Sequence, residues 1–431
     1  MFKRVIFPLA FFAAAIVIIY YIYNLPAVNE RLGWRVDALK ADIKYALNPP
    51  EQAVFVPSSQ KKNAAPTSDL MSVTRTPTPT ISLTRVTPLT TTPTAFPTPT
   101  RTPSPTPPPS EAKLEGFRHE YQMWNNCSPA NLAMGLSFWG WEGTQRDTAA
   151  YLKPNDRDVN VMPYEMVDYV EEQTELEAIT RVGGDIDILK GFLSSGYPVI
   201  VETGYEGVEF EDWMGHYQVI TGYDDAEEQF IAQDSYKGPD FVLSYADLLE
   251  DWRAFNYTYI VLYPPEREAQ VLNILGPQAN AYSNFSYAAD LAAEDTDSLS
   301  GRDLFFSYFN LGTNHVNLND YGNAAVAYDA AFANYPEIPE DQRPWRMMWY
   351  QTGPYFAYYY TGRYEDIIEL ADTTLGAMSE PVLEESYYWR AKAKLALGDE
   401  EGAIEDFQKS LEMHPEFTPS VDELLRLGFE L

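Results

Sequence analysis

Residues 125–135, NNCSPANLAMG, contain Cys127, the only cysteine among the 431 residues. The stretch CSPANLAMGLSFWG predicts a helix that ends at Gly140, and Pro129 suits the first turn of that helix, where a missing N–H loses no hydrogen bond. Cys127 then lies at the helix N-terminus, where the helix dipole lowers the pKa of a thiol. A lone cysteine is either a small buried apolar side chain or a reactive thiol.

The surroundings of Cys127 favour the reactive thiol. Gln122 lies five residues upstream, where its side-chain amide could form an oxyanion hole together with the backbone N–H of Cys127. A thiol nucleophile also needs a base and a group that orients the base. The candidates for the base are the four histidines of the chain, His119, His216, His315 and His414.

His216 is the histidine whose neighbours suit a base. It begins the strand-like stretch HYQVITGY, and Asp234 ends the strand-like stretch QFIAQD, with the turn DDAEE between them. Antiparallel strands would place His216 and Asp234 side by side, where a carboxylate fixes the imidazole tautomer. His315 and His414 lie in a helical region and suit structural roles, whereas His119 stands close upstream of Cys127.

Three blocks of the chain, over about residues 117–263, resemble the bacterial C39-like peptidase family of the second type: HEYQMWNNCSPANLAMGLSFWGW, LSSGYPVIVE and GHYQVITGYDDAEEQFIAQDSY. The resemblance implies an α+β papain-like cysteine peptidase domain, which we place at 111–265. It also implies four roles: Cys127 as nucleophile, His216 as general base, Asp234 as orienting residue and Gln122 as oxyanion donor. Ser128 and Ser235 depart from the family, which usually has Gly and Pro at these positions.

The N-terminus predicts a membrane anchor at 1–28. Lys3 and Arg4 precede 19 uncharged residues, 5–23, which as a helix would span roughly 28 Å, close to the thickness of a bilayer core. The preceding positive charges favour a cytoplasmic N-terminus and an extracytoplasmic remainder, so the expected location is the cell membrane with a single pass. A cleaved signal peptide is the alternative.

Two further segments precede the peptidase-like region. Residues 29–62 are expected to form a juxtamembrane helix and linker, because Leu32, Val36, Leu39 and Ile43 recur at helical spacing. That helix could lie on the membrane surface, pair with a partner or be a plain juxtamembrane helix. Residues 63–110 are a Pro/Thr-rich tract that cannot bury enough apolar surface to fold, and they are expected to form a disordered stalk.

The C-terminal region, 266–431, predicts an all-α repeat domain. Three helix–turn–helix units align at Asn319, Gly362 and Gly398, and each unit places a small or apolar residue five positions later. This pattern resembles tetratricopeptide repeats, which stack into a superhelix with a groove that binds peptides. The resemblance implies a protein partner in that groove.

Charge and composition exclude several classes of protein. The net charge is −33, and the acidic excess lies in residues 111–431, so nucleic acid is not an expected partner. No nucleotide-binding glycine loop and no cluster of His and Cys occurs, so no cofactor or metal is expected. The membrane, through the N-terminal helix, and a peptide or protein substrate are the remaining expected partners.

These observations predict a membrane-anchored extracytoplasmic thiol hydrolase, a C39-like cysteine peptidase with repeats that bind a substrate or partner. Two alternatives stay open. One is a catalytically inert binding or scaffold protein at the cell surface. The other is an amidase or transglutaminase-like enzyme that acts on cell-wall peptides, because all of these enzymes share acyl-enzyme chemistry.

Overall fold

The computed structural model describes residues 39–41, 43–63, 108–155, 157–206 and 213–429. The predicted membrane anchor lies outside these residues, and so does the predicted stalk except for its two ends. Among the helices that are described, none combines the length and the apolar character needed to cross a bilayer.

One seven-stranded antiparallel sheet organises the region after the Pro/Thr-rich tract. Its strands are β1 (Glu111–Lys113), β2 (Glu177–Arg181), β3 (Val199–Tyr205), β4 (Met214–Asp224), β5 (Gln229–Asp234), β6 (Gly238–Ser244) and β7 (Tyr259–Tyr263). They lie in the order β2-β7-β3-β4-β5-β6, and β1 pairs with the end of β4. The central strand β4 is buried from residue 216 to residue 223, which explains its nearly continuous run of apolar and aromatic residues.

Helices cover the two faces of this sheet. They are α2 (Cys127–Phe138), α3 (Gln145–Leu152), α4 (Pro163–Gln173), α5 (Ile186–Ser194) and α6 (Tyr245–Arg253), whereas the earlier helix α1 (Ser58–Asn63) lies against the repeats. Helix α2 is buried along most of its length because it packs between the sheet and α3. At Gly135 an added Cβ would lie only 3.2 Å from Leu262 and 3.3 Å from Ile200, so a residue without a side chain lets α2 approach the sheet. The result is the predicted α+β architecture.

The chain after the sheet is helical, as the sequence predicts. Its helices are α7 (Glu268–Leu275), α8 (Ala281–Thr296), α9 (Gly301–Asn317), α10 (Tyr321–Asn334), α11 (Met347–Tyr350), α12 (Gly353–Tyr360), α13 (Tyr364–Ala377), α14 (Glu384–Ala396), α15 (Glu400–Met413) and α16 (Thr418–Arg426). Short 3₁₀ turns occur at Pro50–Gln52, Pro265–Arg267, Gly276–Ala279, Tyr335–Glu337 and Glu340–Gln342.

Three helix pairs form the repeats: α9 with α10, α12 with α13, and α14 with α15. The residues aligned at their turns, Asn319, Gly362 and Gly398, all have positive φ angles, of 60°, 73° and 89°. Glycine and asparagine adopt this left-handed conformation at low cost, and it ends a helix. The three aligned residues five positions later, Ala324, Ile367 and Ala403, are fully buried. The alignment made from the sequence is therefore confirmed.

The sheet and the repeats pack directly against each other. The amides of Asn256, which precedes β7, and Asn314, in α9, donate to each other's side-chain oxygens at 2.7 and 3.1 Å, and both residues are buried. The Trp213 ring stacks on Phe255, with ring centroids 5.8 Å apart, and the Trp213 carbonyl accepts a hydrogen bond from Arg346 at 2.8 Å.

The N-terminal segment, defined here as residues 39–63, runs along the repeats. Phe55 is buried with its ring centroid 4.9 Å from that of Phe332, and both the backbone N–H and the hydroxyl of Ser58 donate to Asp366, at 2.9 and 2.8 Å. The chain resumes on the sheet, where the Pro109 carbonyl accepts a hydrogen bond from Tyr223 at 2.6 Å. Both ends of the Pro/Thr-rich tract therefore lie on the folded body.

Candidate active site

Cys127 is the first residue of α2, as predicted. The loop before it is held by Gln145, whose side-chain oxygen accepts hydrogen bonds from the Met123 backbone N–H and from the Asn126 amide, both at 2.8 Å. Asn125 adopts a positive φ of 50°, which turns the chain into the helix. The thiol is thus presented at the positive end of a buried helix.

His216 and Asp234 lie side by side, as the hairpin predicted. His216 is the third residue of β4, Asp234 is the last residue of β5, and the two strands are antiparallel neighbours. Nε2 of His216 is 3.2 Å from each carboxylate oxygen of Asp234, and both residues are almost completely buried. Nδ1 is the ring nitrogen left to act on Cys127, and His216 lowers the pKa of the Cys127 thiol.

The three side chains shift one another's ionisation. Burial has the largest effect on Cys127 and raises the pKa of its thiol, but the hydrogen bond and charge of His216 outweigh burial, and the pKa lies below its ordinary value. Burial lowers the pKa of His216, whereas the charge and hydrogen bond of Asp234, together with the thiolate, raise it to about 10. His216 therefore favours the thiolate form of Cys127, and the thiolate in turn favours the imidazolium form of His216.

Asp234 remains an anion although it is buried. Burial raises the pKa of its carboxyl group. The charge and hydrogen bond of His216 lower this pKa, as do hydrogen bonds from two backbone N–H groups, and the net result is a pKa below the ordinary value. These N–H groups belong to Tyr236 and Lys237, which donate to the same carboxylate oxygen at 2.7 and 2.8 Å. The backbone thereby fixes the carboxylate that in turn fixes the imidazole.

Gln122, the predicted oxyanion donor, lines the same cleft as Cys127. Its side-chain oxygen accepts a hydrogen bond from the hydroxyl of Ser235 at 2.7 Å, and its backbone N–H donates to the Ser235 carbonyl at 2.8 Å. The Ser235 hydroxyl accepts in turn from the amide of Asn131 at 2.9 Å. Because the Gln122 oxygen is engaged, the rotation of its amide is fixed and the NH₂ group is the end available for a ligand.

The two residues that depart from the family pattern both contact the site. The Ser128 hydroxyl lies 3.8 Å from the Cys127 sulfur and contributes to the lowered pKa of the thiol. Ser235 is completely buried and orients Gln122. Neither substitution obstructs the arrangement of Cys127, His216 and Asp234.

The thiol opens into a cleft of about 370 Å³ between the sheet and the repeats. The sheet side contributes Glu202 and Tyr217, and the repeat side contributes Trp349 and Tyr350. Burial raises the pKa of Glu202 well above its ordinary value, so its carboxyl group adds little negative charge beside the thiolate. The cleft is therefore mainly apolar and aromatic, with the reactive groups at one end.

The N-terminal segment forms a third wall of this cleft, through Ala41 and Tyr45. The Tyr45 ring packs edge-on against Trp345, with centroids 5.4 Å apart, and its hydroxyl accepts a hydrogen bond from the Ser379 backbone at 3.1 Å. At the rim, Glu380 pairs with Lys40 at 2.8 Å and with Arg157 at 3.1 Å. One carboxylate of the repeats thus joins the N-terminal segment to the peptidase-like region.

The other histidines do not line this cleft. His119 lies 3.1 Å from the side-chain oxygen of Gln233, His315 lies 3.5 Å from Asp320, and His414 lies 3.0 Å from Glu384. Within the described part of the chain, no group of three or more His, Cys, Asp or Glu side chains is placed to hold a metal ion.

Three residues that contact the site were not predicted from the sequence as parts of it: Asn131, Ser235 and Tyr45. Asn131 carried a weak signal, because an asparagine four residues into an otherwise apolar helix needs a partner when it is buried. Ser235 was noted only as a departure from the family pattern, and Tyr45 carried no signal of its own. Their contacts depend on how distant segments of the chain pack.

Two parts of the chain match known families. Residues 114–260 match the model of the Peptidase_C39 like family, and residues 384–417 match that of a tetratricopeptide repeat. These matches confirm the resemblances predicted for the two regions. Among curated proteins no match is found.

Solved structures similar to this chain include three peptidases, each matching about a third of it. A C39-like peptidase from Bacillus anthracis is 17% identical, covers 35% of this chain and 96% of its own, and gives a TM-score of 0.30. The peptidase domain of Streptococcus ComA, a bifunctional ABC transporter of a quorum-sensing pathway, is 19% identical, with 34% and 98% coverage and a TM-score of 0.28. A double glycine motif protease of an AMS/PCAT transporter, solved with its leader peptide, is 16% identical, with 36% and 94% coverage and a TM-score of 0.28.

Proposed function

We propose that this chain, with its C39-like peptidase region and tetratricopeptide repeats, is a thiol hydrolase that cleaves peptide bonds through Cys127. The observation that carries the proposal is the buried contact of His216 with Asp234 beside the thiol, in a cleft that also holds Gln122. A nucleophile, a base, an orienting carboxylate and an oxyanion donor are the parts that acyl transfer requires.

The acylation step follows from these positions. The Cys127 thiolate attacks the carbonyl carbon of the scissile bond, and the carbonyl oxygen becomes an oxyanion. The backbone N–H of Cys127 and the amide of Gln122 donate hydrogen bonds to that oxyanion. Nδ1 of His216 then gives its proton to the leaving nitrogen, the C–N bond breaks and an amine departs. A thioester on Cys127 remains.

Deacylation reverses the role of the histidine. His216, now neutral, takes a proton from a water molecule, and the resulting hydroxide attacks the thioester carbonyl. The C–S bond breaks, the carboxylic acid product leaves and the thiolate–imidazolium pair is restored. Asp234 keeps Nε2 protonated throughout, so Nδ1 is the nitrogen that exchanges protons.

The proposed location is the cell membrane, with a single N-terminal anchor and the catalytic region outside the cytoplasm. The support is the uncharged run of residues 5–23 after two basic residues. The proposed substrate is a peptide or protein segment, and the repeats contribute one wall of the cleft that receives it. A protein partner on the repeats is also proposed, because stacked helix pairs commonly bind peptides.

Two measurements test the catalytic proposal. Iodoacetamide should label Cys127 rapidly at neutral pH, and His216→Ala should slow labelling at least about tenfold because the thiolate loses its counter-ion. A peptide library digested with the full chain should give cleavage products that Cys127→Ala abolishes, with a loss on the order of 10⁶-fold in kcat. Circular dichroism of Cys127→Ala should match the parent.

The outcomes separate the alternatives. An inert scaffold would label no faster than a free cysteine and would give no products. An amidase or transglutaminase-like enzyme would label rapidly but leave the library peptides uncut. Cleavage by Cys127→Ala at the parent rate would remove the thiol from the mechanism.

A further inference from the structure

The helix formed by residues 39–41 and 43–47, here the N-terminal helix, contacts the protein through Ala41, Lys44 and Tyr45. Lys44 donates to the carbonyl oxygens of Gly376, at 2.8 Å, and Met378. Tyr45 and Ala41 face the cleft. A surface helix ordinarily buries its aliphatic side chains, but on this helix Leu39, Ile43 and Leu47 are exposed.

The outward side of the N-terminal helix is an apolar stripe, defined here as Leu39, Ile43 and Leu47. These side chains are 57%, 55% and 75% exposed. Residues four positions apart on a helix are rotated by about 40°, so the stripe occupies an arc of about 80° on one face. Three exposed aliphatic side chains in register on one helix form a continuous apolar strip, unlike isolated surface residues.

The chain upstream indicates what covers this stripe. The uncharged run ends at residue 23, and 15 residues separate it from Leu39. Fifteen residues span at most about 50 Å when extended and about 22 Å when helical. Val36 and Leu32 precede Leu39 at spacings of three and four in the sequence, although they lie outside the described residues.

We propose that Leu39, Ile43 and Leu47 lie on the lipid bilayer that holds the N-terminal anchor, with the N-terminal helix in the plane of the interface. Interfacial helices bury their apolar face about 5–10 Å into the boundary between headgroups and acyl chains. The proposal rests on the proposed anchoring and adds an orientation to it. Because Tyr45 and Ala41 line the cleft from the opposite side of this helix, the cleft opens close to the membrane surface.

The proposed position of the cleft beside the membrane favours one class of substrate. A cleft beside the bilayer receives polypeptide segments that run close to the membrane, such as the juxtamembrane stretch of another anchored protein. The lipid contact is apolar, because Lys40 and Lys44 are engaged with the repeats and the folded body is strongly acidic. Zwitterionic lipid should therefore suffice, and anionic lipid should not strengthen the contact.

The single cysteine of the chain permits a direct test. Cys127→Ser yields a cysteine-free full chain, into which Leu39→Cys, Ile43→Cys or Leu47→Cys is introduced singly and spin-labelled. Val326→Cys is the matched control, because Val326 is an aliphatic residue, 68% exposed, on α10 of the repeats. Each protein is reconstituted into phosphatidylcholine vesicles, and collisions of the label with oxygen and with a water-soluble nickel chelate are measured.

We expect spin labels at 39, 43 and 47 to collide more often with oxygen and less often with the nickel chelate on reconstitution. The collision rates of the label at 326 should stay typical of a label in water. If the chain floats with vesicles but all four labels stay water-like, the lipid contact is overturned and the anchor stands. If the chain does not float with vesicles, the anchor and the contact both fail. Spin–spin broadening at 39, 43 or 47 would instead assign the stripe to a second copy of the chain and overturn the proposal.

Discussion

At the scale of single residues, His216 contributes most to lowering the pKa of Cys127, and Asp234 contributes most to raising the pKa of His216. The carboxylate of Asp234 raises the pKa of His216 to about 10 against the effect of burial. An imidazolium that persists to high pH keeps the thiolate paired and keeps a proton for the leaving group. The proposed active form therefore exists from the lowered pKa of Cys127 up to the raised pKa of His216.

Asp234→Asn should lower turnover by about 10²–10⁴-fold, less than loss of the nucleophile, because an amide still contacts the ring but carries no charge. The upper limb of the pH–rate profile should also move to lower pH, since the group that raises the pKa of His216 is removed. Steady-state kinetics between pH 5 and 11 would measure both effects. An unchanged upper limb together with full activity would remove Asp234 from the site.

Ser235→Ala should reduce kcat by about 10–10³-fold with little change in KM, because Gln122 loses the hydroxyl that fixes its amide and an oxyanion contact weakens. Gln122→Ala should give a similar loss, and the double variant should lose no more than Gln122→Ala alone. Ser235→Thr, which keeps a hydroxyl, should recover part of the rate. Additive losses in the double variant would show that Ser235 does not act through Gln122.

At the scale of elements, the sequence predicted the strands and helices whose apolar residues are continuous or regularly spaced. The stretches HYQVITGY and QFIAQD predict strands β4 and β5, and the hairpin that joins them brings His216 to Asp234. Strands β1, β2 and β6 were not identified, because each is short or begins with charged or turn-forming residues: EAK, EAITR and GPDFVLS. Their pairing depends on neighbours far away in the chain.

The difference between local patterns and contacts between distant parts of the chain also explains which parts of the site could be predicted. Cys127 and Gln122 are close in sequence, and His216 and Asp234 belong to one hairpin, so local patterns were sufficient. The contact of Asn131 with Ser235 and the contact of Tyr45 with the cleft join segments from different parts of the fold. No spacing in a single sequence reveals contacts of this kind.

The amide pair of Asn256 and Asn314 is an element-scale contact whose removal should be measurable. Asn314→Ala should lower the free energy of unfolding by about 1–3 kcal/mol, because the buried amide of Asn256 would lose its partner. Asn317→Ala, on the same helix α9 but exposed, should change it by less than about 0.5 kcal/mol. Chemical denaturation would measure both variants, and equal effects would contradict the importance of the buried pair.

At the scale of the whole molecule, residues 39–63 and 108–429 pack as one body with the cleft at their junction. We expect limited proteolysis to cut first within residues 64–107, since a Pro/Thr-rich tract exposes its backbone. The two products should elute together in gel filtration, because the N-terminal segment stays bound to the repeats. Early cutting near residues 264–270, with release of two separate fragments, would contradict this organisation.

The position of the Pro/Thr-rich tract has a consequence for how the chain can vary. The tract leaves the repeats after α1 and returns to the sheet before β1, so in the proposed anchored protein its length does not enter the path from the bilayer to the cleft. Insertions or deletions in the tract should therefore leave the distance between the bilayer and the cleft unchanged, whatever their length. In the proposed membrane-bound form, the contact of Leu39, Ile43 and Leu47 with the bilayer fixes how far the cleft lies from the membrane, so the height at which peptides would be cut depends on this helix and not on the tract.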